Sequence, residues 1–176
     1  MRALDVGCGL GLIHRHLGAL DGRLEGIDIS HGVVEQASHR NRSVRYRTYD
    51  GTTMPYADGE LDLVFAICVL HHVNPDAWPA FVGEMVRVAR PGGMVALIEH
   101  NPLNPLTRLV VARCAFDDDI VLVRKRRLER LLASHGTEQI DSRYILFSPW
   151  KQLRRLDRHL GRVPLGAQYV TYANRG

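Results

Sequence analysis

The sequence predicts an α/β fold in which a mostly parallel sheet carries helices on both faces. Three observations lead to this prediction. Short apolar runs alternate with helical patterns over the first hundred residues, which is typical of strand–helix–strand units. The run 60–66 is apolar almost throughout, as a parallel strand buried on both faces is. A glycine-rich turn follows the first strand. With 176 residues, 45% of them hydrophobic and 24% charged, we expect one domain over 1–176.

The glycine-rich turn follows the first apolar run, 3–6, with glycines at positions 7, 9 and 11. Glycine lets the backbone approach a ligand closely, and the start of a helix presents free N–H groups. We therefore predict that this turn holds a cofactor. The dinucleotide pattern G-x-G-x-x-G would need a glycine where Leu12 stands, which disfavours a nucleotide-dependent oxidoreductase. A helix is expected next, with Leu12, Ile13, His16, Leu17 and Leu20 at helical spacing.

The remaining elements of the first hundred residues are joined by short connections. Strands are predicted at 23–28, 43–48, 60–66 and 94–99. Ser30 can cap a helix through Ala37, and 75–90 is an amphipathic helix. Its apolar face consists of Trp78, Phe81, Val82, Met85, Val86 and Ala89.

The turn, with Asp5 two residues ahead of it, resembles motif I of the class I S-adenosylmethionine-dependent methyltransferases. Four further stretches, 23–28, 49–56, 60–73 and 87–93, follow in that family's order. The resemblance implies a three-layer Rossmann-like fold with seven strands in the order 3-2-1-4-5-7-6. It also implies S-adenosyl-L-methionine as the cofactor.

Asp28 ends the second strand at the carboxyl edge of the sheet, where a carboxylate can accept both hydroxyls of a ribose. The alternative is that it only caps the next helix. By the resemblance, Asp28 binds the ribose, Asp50 binds the adenine amine, and Asp5 is oriented towards the amine of the methionine portion. The residues predicted to bind the cofactor are Asp5, Gly7, Cys8, Gly9, Gly11, Asp28, Ile29, Asp50, Gly51 and Ile67.

Three histidines are the candidate catalytic bases. His71 and His72 follow the fourth strand, and His100 follows the fifth. Histidine titrates near neutrality and can deprotonate a hydroxyl acceptor. A structural or cofactor-lining role is the alternative. Adjacent histidines point in different directions, so we expect no metal site here.

The segment 101–135 is where the resemblance places an insertion and a helix that shape the acceptor pocket. Asp117–Asp119 could bind magnesium, but acids also favour the first turn of a helix, and 120–134 has the pattern of one. Val121, Leu128, Leu131 and Leu132 are expected to point inward. The last strands, 137–147 and 167–174, flank a helix that begins at Ser148 and Pro149, has Leu153, Leu156 and Leu160 on one face, and ends at Gly161.

The charge is unevenly distributed: 1–100 hold 9 Lys/Arg and 12 Asp/Glu, whereas 101–176 hold 14 and 7. We interpret the excess of positive charge in 101–176 as solvated helix faces. An anionic or lipid-phosphate acceptor is the alternative. Only Trp150 stands among these bases, which disfavours a nucleic-acid partner. No apolar run reaches about 18 residues, and Cys8, Cys68 and Cys114 form no C-x-x-C pair. We therefore expect a soluble, cytoplasmic protein without disulfides or zinc.

Members of the resembled family normally carry a helical lid before motif I, but here the first strand begins at residue 2. The sequence therefore leads to two hypotheses. The first is transfer of a methyl group to a small-molecule acceptor, with oxygen, nitrogen or carbon left open. The second is a cofactor-binding domain without catalysis. A homodimer or another partner could supply the missing cover.

Overall fold

The computed structural model describes residues 1–20, 22–113, 120–147 and 157–176. Its sheet contains β1 (Ala3–Val6), β2 (Leu24–Asp28), β3 (Arg45–Thr48), β4 (Leu61–Ile67), β5 (Ala89–His100), β6 (Thr137–Ile145) and β7 (Gln168–Arg175). The strand order is β3-β2-β1-β4-β5-β7-β6. β1 to β5 pair in parallel, and β7 runs antiparallel to both β5 and β6. The predicted fold class and strand order are confirmed.

The helices are α1 (His31–Arg40), α2 (Trp78–Val88), α3 (Pro105–Val111), α4 (Lys125–Ala133) and α5 (Asp157–Leu160). Shorter 3-10 turns occur at His14–His16, Gly18–Leu20, Leu70–His72 and Pro75–Ala77. Within the described ranges, none of the helices has the length and apolar character needed to cross a bilayer.

The core lies on both faces of the sheet. A large cluster joins α2 and α4 to the central strands and includes Met85, Leu97 and Leu132, all fully buried. A smaller cluster on Ala3, Leu24 and Phe65 is covered by the segment after the glycine turn. Burial of one large aliphatic side chain stabilises the fold by about 1.5–3 kcal/mol. The two clusters therefore fix the sheet that presents the functional loops.

The helix predicted after the glycine turn is wrong, because the chain forms two 3-10 turns there. His14 is drawn into the interior by a hydrogen bond to Asp5, and Leu17 leaves the helical region at φ −100°, ψ 35°. Leu12 is 53% exposed instead of inward-facing. A tertiary contact has therefore overridden the apolar spacing.

The bounds of α2, β5 and α4 also differ from the prediction, since the predicted helix start at 75 is a 3-10 turn and β5 begins at Ala89 instead of residue 94. α2 ends at Val88 instead of Arg90, because Ala89 already pairs with Leu61 on β4 and so begins β5. α4 begins at Lys125 rather than at residue 120, since the chain before it is not helical. As a result, Val121 is 45% exposed, whereas Val123 is buried.

Several predictions lie outside the described residues. They concern Cys114, the Asp117–Asp119 run, and the helix start at Ser148 and Pro149 with Trp150, Leu153 and Leu156. Of the predicted helix, the structure describes only the residues from 157 onward, where Asp157–Leu160 form α5.

Candidate cofactor and acceptor site

Two cavities that share Gly7 lie at the carboxyl ends of β1, β2 and β4. The main cleft, of about 480 Å³, is lined by Gly7, Asp28, Ile29, Tyr49, Gly51, Cys68, Val69, His72, Val73 and Phe81. The turn cavity, of about 220 Å³, is lined by Asp5, Gly7, Cys8, Gly9, Leu10, Leu12, Ile13 and Ile67. Pockets of 300–1,000 Å³ are typical of small-molecule sites. The carboxyl edge is where open α/β sheets bind ligands.

Most of the residues predicted to bind the cofactor line one of these cavities. They are Asp5, Gly7, Cys8, Gly9 and Ile67 in the turn cavity, and Gly7, Asp28, Ile29 and Gly51 in the main cleft. Gly11 and Asp50 are not among the lining residues.

The glycine turn is held against β2, and Gly7 is its tightest point. The N–H of Gly7 donates to the Ile27 carbonyl at 2.8 Å. Gly7 has φ +71°, and a Cβ atom there would lie 2.6 Å from a methyl group of Val69. Gly9 also has positive φ, but a Cβ atom there would meet nothing within 4 Å. Gly7 is therefore required by packing, whereas Gly9 faces open space.

Asp28 connects the glycine turn to α1 while lining the main cleft. One carboxylate oxygen accepts from the Gly9 N–H at 2.9 Å, and the other accepts from the Ser30 N–H at 3.0 Å. The Ser30 side chain makes no capping hydrogen bond. A carboxylate offers about four acceptor positions, so Asp28 can bind backbone groups and still accept from a diol.

Gly11 and Asp50 have local roles. A Cβ atom at Gly11 would collide with the Tyr46 hydroxyl and lie 2.8 Å from the Asn41 amide nitrogen, so this glycine permits close packing behind the turn. Asp50 is exposed and accepts from the backbone N–H groups of Thr52 and Thr53, both at 2.8 Å. These bonds lower the pKa of Asp50. Its contact with adenine stays a prediction.

Tyr49 is a main-cleft residue that the sequence reasoning did not single out. Partial burial raises its pKa to about 12, so the phenol is neutral at physiological pH. The available signal was its position directly after the third predicted strand, at the edge where ligands bind. An aromatic ring at this place can stack on a heterocycle.

Asp5 is buried at the turn cavity beside His14, which the sequence reasoning also missed. One Asp5 oxygen lies 2.8 Å from His14 Nε2, and His14 Nδ1 lies 2.5 Å from the Tyr46 hydroxyl. The other Asp5 oxygen, Oδ1, is buried and has no hydrogen-bond partner among the described residues. Burial raises the pKa of Asp5 despite the opposing hydrogen bond from His14. An unpartnered buried acceptor fits the positively charged amine that the resemblance assigns to this place.

Cys8 lines the same cavity but is chemically quiet. Burial raises the pKa of its thiol well above the ordinary value. The nucleophilic form of cysteine is the thiolate. Cys8 therefore contributes shape to the turn cavity rather than reactivity.

The three predicted histidines lie together where β4 and β5 end. The His71 ring centroid is 4.2 Å from that of His72 and 5.1 Å from that of His100. His71 is 2% exposed, and its Nδ1 lies 2.6 Å from Glu99 Oε2. His72 is exposed and lines the main cleft. Of the three, His72 is the one that faces the cleft, and His71 is fixed behind it.

Glu99 is buried and anchors the turn that carries these histidines. Its Oε1 accepts from the N–H groups of Leu70, at 2.8 Å, and Val69, at 3.2 Å. A polar side chain at this carboxyl edge of the sheet could either contact a substrate or cap a loop. The structure shows hydrogen bonding to the 69–71 turn, and Glu99 is only 1% exposed.

A second missed pair, Glu84 and Arg87, fixes the loop after Gly51. Arg87 donates to the carbonyls of Met54 and Tyr56, at 3.1 and 2.9 Å, and Glu84 accepts from the Met54 N–H at 2.9 Å. The two side chains also bond each other. The signal was their i, i+3 spacing on a predicted helix. The pair therefore fixes the loop that follows Gly51, a residue that lines the main cleft.

Within the part of the chain that the structure describes, no group of three His, Cys, Asp or Glu side chains is arranged to hold a metal ion.

Comparison with known proteins identifies the family of this chain. Residues 4–97 match the model of a family described as "Methyltransferase domain". The chain is 39% identical over 103 residues to 27-O-demethylrifamycin SV methyltransferase from Amycolatopsis mediterranei, covering 54% of this chain and 37% of that protein. It is 35% identical over 104 residues to ajmaline N-methyltransferase from Rauvolfia serpentina, covering 55% and 35%. The chain thus spans little more than a third of the length of these relatives.

The fold is also shared with solved structures. A SAM-dependent methyltransferase from Thermotoga maritima superposes with a TM-score of 0.78 over 99% of this chain and 82% of its own, at 18% identity. At this identity the likeness concerns the fold. The family match over more than half of the chain goes further, and this chain belongs to the class I S-adenosylmethionine-dependent methyltransferases.

Proposed function

We propose that this chain binds S-adenosyl-L-methionine across the turn cavity and the main cleft and transfers its methyl group to a small-molecule acceptor. The observation that carries the proposal is that Gly7, Asp28 and His72 line one cleft. A cofactor turn, a ribose acceptor and a candidate base are therefore within one ligand's reach. When bound, the cofactor supplies a sulfonium methyl group that is already activated for in-line displacement.

The cofactor contacts follow the shape of the two cavities. The glycine turn, from Gly7 to Gly11, would hold the methionine portion, with the unpartnered oxygen of Asp5 towards its amine. Asp28 would bind the ribose hydroxyls. The adenine would lie between Ile29, Gly51 and Tyr49, with Asp50 towards its amine. Holding the donor and acceptor in line is the main contribution of the protein, worth up to about 7–11 kcal/mol in ideal cases.

The acceptor would approach from the side of His72. For a hydroxyl acceptor, His72 would take the proton as the oxygen attacks the methyl carbon. Glu99 would act as a positioning residue, because it fixes His71 and the 69–71 turn. For a carbon acceptor that is already activated, no strong base is required. His71 and His100 stay secondary candidates, and the names of the relatives include both an O- and an N-methyltransferase.

The remaining assignments belong to the same proposal. We treat 1–176 as one domain, and 101–135, which includes α3, as the segment that shapes the acceptor pocket. A homodimer or a completing partner, and a cytoplasmic location, stay predictions. A cofactor-binding domain without turnover is the alternative that the first experiment must distinguish.

Calorimetric titration of S-adenosylmethionine tests the cofactor site. We expect micromolar binding that Asp28→Ala weakens by at least about 100-fold, since two hydrogen bonds to a charged group are lost. Asp76→Asn, an exposed carboxylate elsewhere, is the matched control and should bind normally. Binding of NAD in preference to S-adenosylmethionine would contradict the proposal and would favour a nucleotide-dependent oxidoreductase.

Turnover with methyl-labelled cofactor over a panel of small acceptors tests catalysis. Product formation is expected, and with a hydroxyl acceptor His72→Ala should lower kcat about 10²–10⁴-fold, the usual contribution of a general base. Its affinity for the cofactor should change much less. Binding without any product across the panel would favour the binding-only alternative.

A further inference from the structure

A third cavity, which the proposed reaction does not use, is rich in positive charge. This basic cavity has a volume of about 410 Å³ and is lined by Asn101, Pro102, Leu103, Arg124, Lys125, Arg126, Tyr144, Arg162 and Pro164. Four of these residues are cationic and none is acidic. They come from two segments far apart in sequence, so the fold has brought the charges together. Its volume falls in the range of small-molecule sites.

Among the residues that the structure describes, three of the four cations pair with no carboxylate. Lys125 pairs with Glu129 at 3.0 Å. Arg124, Arg126 and Arg162 form no ion pair within the part of the chain that is described. Arg2, Arg87 and Arg90, in contrast, each contact a carboxylate. Uncompensated like charges around one cavity repel each other, and a bound anion would relieve that repulsion.

The start of α4 increases the same imbalance. Arg124 stands at the N-cap position without a side-chain capping bond, and the first turn contains no acidic residue. The N-terminus of a helix carries partial positive charge and normally attracts acids. Cations at this end are therefore unfavourable unless an anion lies among them. Arginine forks and helix starts are both suited to phosphate oxygens.

The wall of the basic cavity is connected to the proposed acceptor site. Asn101, directly after β5, donates to the carbonyls of Pro164 and Gly166 at 3.1 and 2.8 Å, which fixes the segment that carries Arg162. On the other side, the Val121 N–H donates to the His71 carbonyl at 3.2 Å. The segment leading to Arg124 thus contacts the 69–71 turn that carries His71. Both sites lie at the carboxyl edge of the sheet.

We propose that the basic cavity binds a phosphate group of the methyl acceptor, so that the acceptor is a small phosphomonoester or diphosphate. Three arginines that pair with no described carboxylate match a multiply charged phosphate better than they match a singly charged carboxylate. The assignment rests on the proposed function, because it names the acceptor class of that reaction.

Thermal unfolding with inorganic phosphate and with phenyl phosphate, against sodium chloride at the same ionic strength, tests the cavity. The test variant is the double substitution Arg126→Gln/Arg162→Gln. Arg130→Gln removes one positive charge at the far end of α4, outside the cavity, and is the control. Both phosphates should raise the Tm of the unsubstituted protein and of Arg130→Gln, and this rise should disappear in the double variant.

The Tm measured without phosphate separates phosphate binding from a structural role of the arginines, because the two explanations predict opposite changes in the double variant. Because the double substitution removes charge repulsion, its Tm without phosphate should equal or exceed that of the unsubstituted protein. A lower Tm would indicate that the arginines stabilise the fold and would contradict the proposal. An equal phosphate-induced rise in the double variant would show binding elsewhere and would also overturn it.

The two probes separate two sources of phosphate. A site for an esterified acceptor predicts that phenyl phosphate raises the Tm at least as much as inorganic phosphate. A rise with inorganic phosphate alone would indicate a site for the free ion and would overturn the acceptor assignment. In turnover, paired acceptors differing by one phosphate should show at least a ten-fold higher KM in the double variant for the phosphorylated member alone.

Calorimetry with S-adenosylmethionine on the same samples distinguishes this inference from the proposed function. Normal cofactor binding without any phosphate effect would overturn the basic cavity alone. Phosphate binding without cofactor binding would overturn the proposed function, and with it the acceptor assignment.

Discussion

Removing the carboxylate of Glu99 should destabilise the protein strongly. In Glu99→Ala, three donors lose their acceptor: the N–H groups of Val69 and Leu70 and the ring of His71. Each unsatisfied buried donor costs about 1–3 kcal/mol. Water can enter the space left by the truncation, so we take the lower half of the sum, about 3–6 kcal/mol. That is a large part of a typical stability of about 5–15 kcal/mol.

Glu99→Gln separates the backbone bonds from the bond to histidine. The amide oxygen can still accept from the two N–H groups, but the NH₂ group cannot accept from His71 Nδ1. We expect a smaller loss of about 1–2 kcal/mol, because one charge-assisted hydrogen bond disappears. His71 would also adopt the other tautomer. Turnover should therefore fall more than cofactor affinity.

Urea unfolding followed by circular dichroism measures both variants, and an unchanged m-value shows that the comparison is valid. Glu35→Ala on the exposed side of α1 is the control and should lie within about 0.5 kcal/mol of the unsubstituted protein. The reasoning is refuted if Glu99→Ala costs less than about 1 kcal/mol. A Glu99→Gln variant as damaged as Glu99→Ala would also refute it.

Three further changes can be measured by the same unfolding assay. Gly7→Ala should cost about 2–4 kcal/mol, because strain at φ +71° adds to the collision with Val69. Trp78→Phe should cost about 1–2 kcal/mol, since its indole N–H donates to two carbonyls at 2.9 Å. Arg87 holds the pKa of Glu84 below its usual 4.5. Glu84 therefore stabilises the fold above that pH, and its advantage over Glu84→Gln, about 1–2 kcal/mol at pH 7, should vanish as the pH falls through the lowered pKa.

One result would contradict each of these three predictions. Gly9 also has positive φ, but a Cβ atom there would meet nothing within 4 Å. Equal losses of stability in Gly7→Ala and Gly9→Ala would therefore disprove the packing argument. A Trp78→Phe variant as stable as the unsubstituted protein would show that water satisfies both carbonyls. A stability difference for Glu84→Gln that stays constant down to pH 3 would contradict the ion-pair explanation.

The sheet and much of the main cleft could be predicted from the sequence because their signals are local. Apolar runs give the strands, and the position of Asp28 at the end of one strand gives its place beside the glycine turn. The segment after that turn could not be predicted, since the pull of Asp5 on His14 outweighs apolar spacing. The basic cavity was equally hidden, because it joins Arg124 and Arg126 to Arg162 only in the folded chain.

The hydrogen bonds behind the glycine turn connect it to the rim of the sheet. The Tyr46 hydroxyl on β3 meets His14, which holds Asp5, and Asn41, whose amide donates to the Gly11 carbonyl. β3 is an edge strand with β2 as its one neighbour, and such peripheral elements open locally before the core does. Each opening of β3 would release the turn from behind. The residence time of a bound cofactor should therefore depend on how often β3 opens locally.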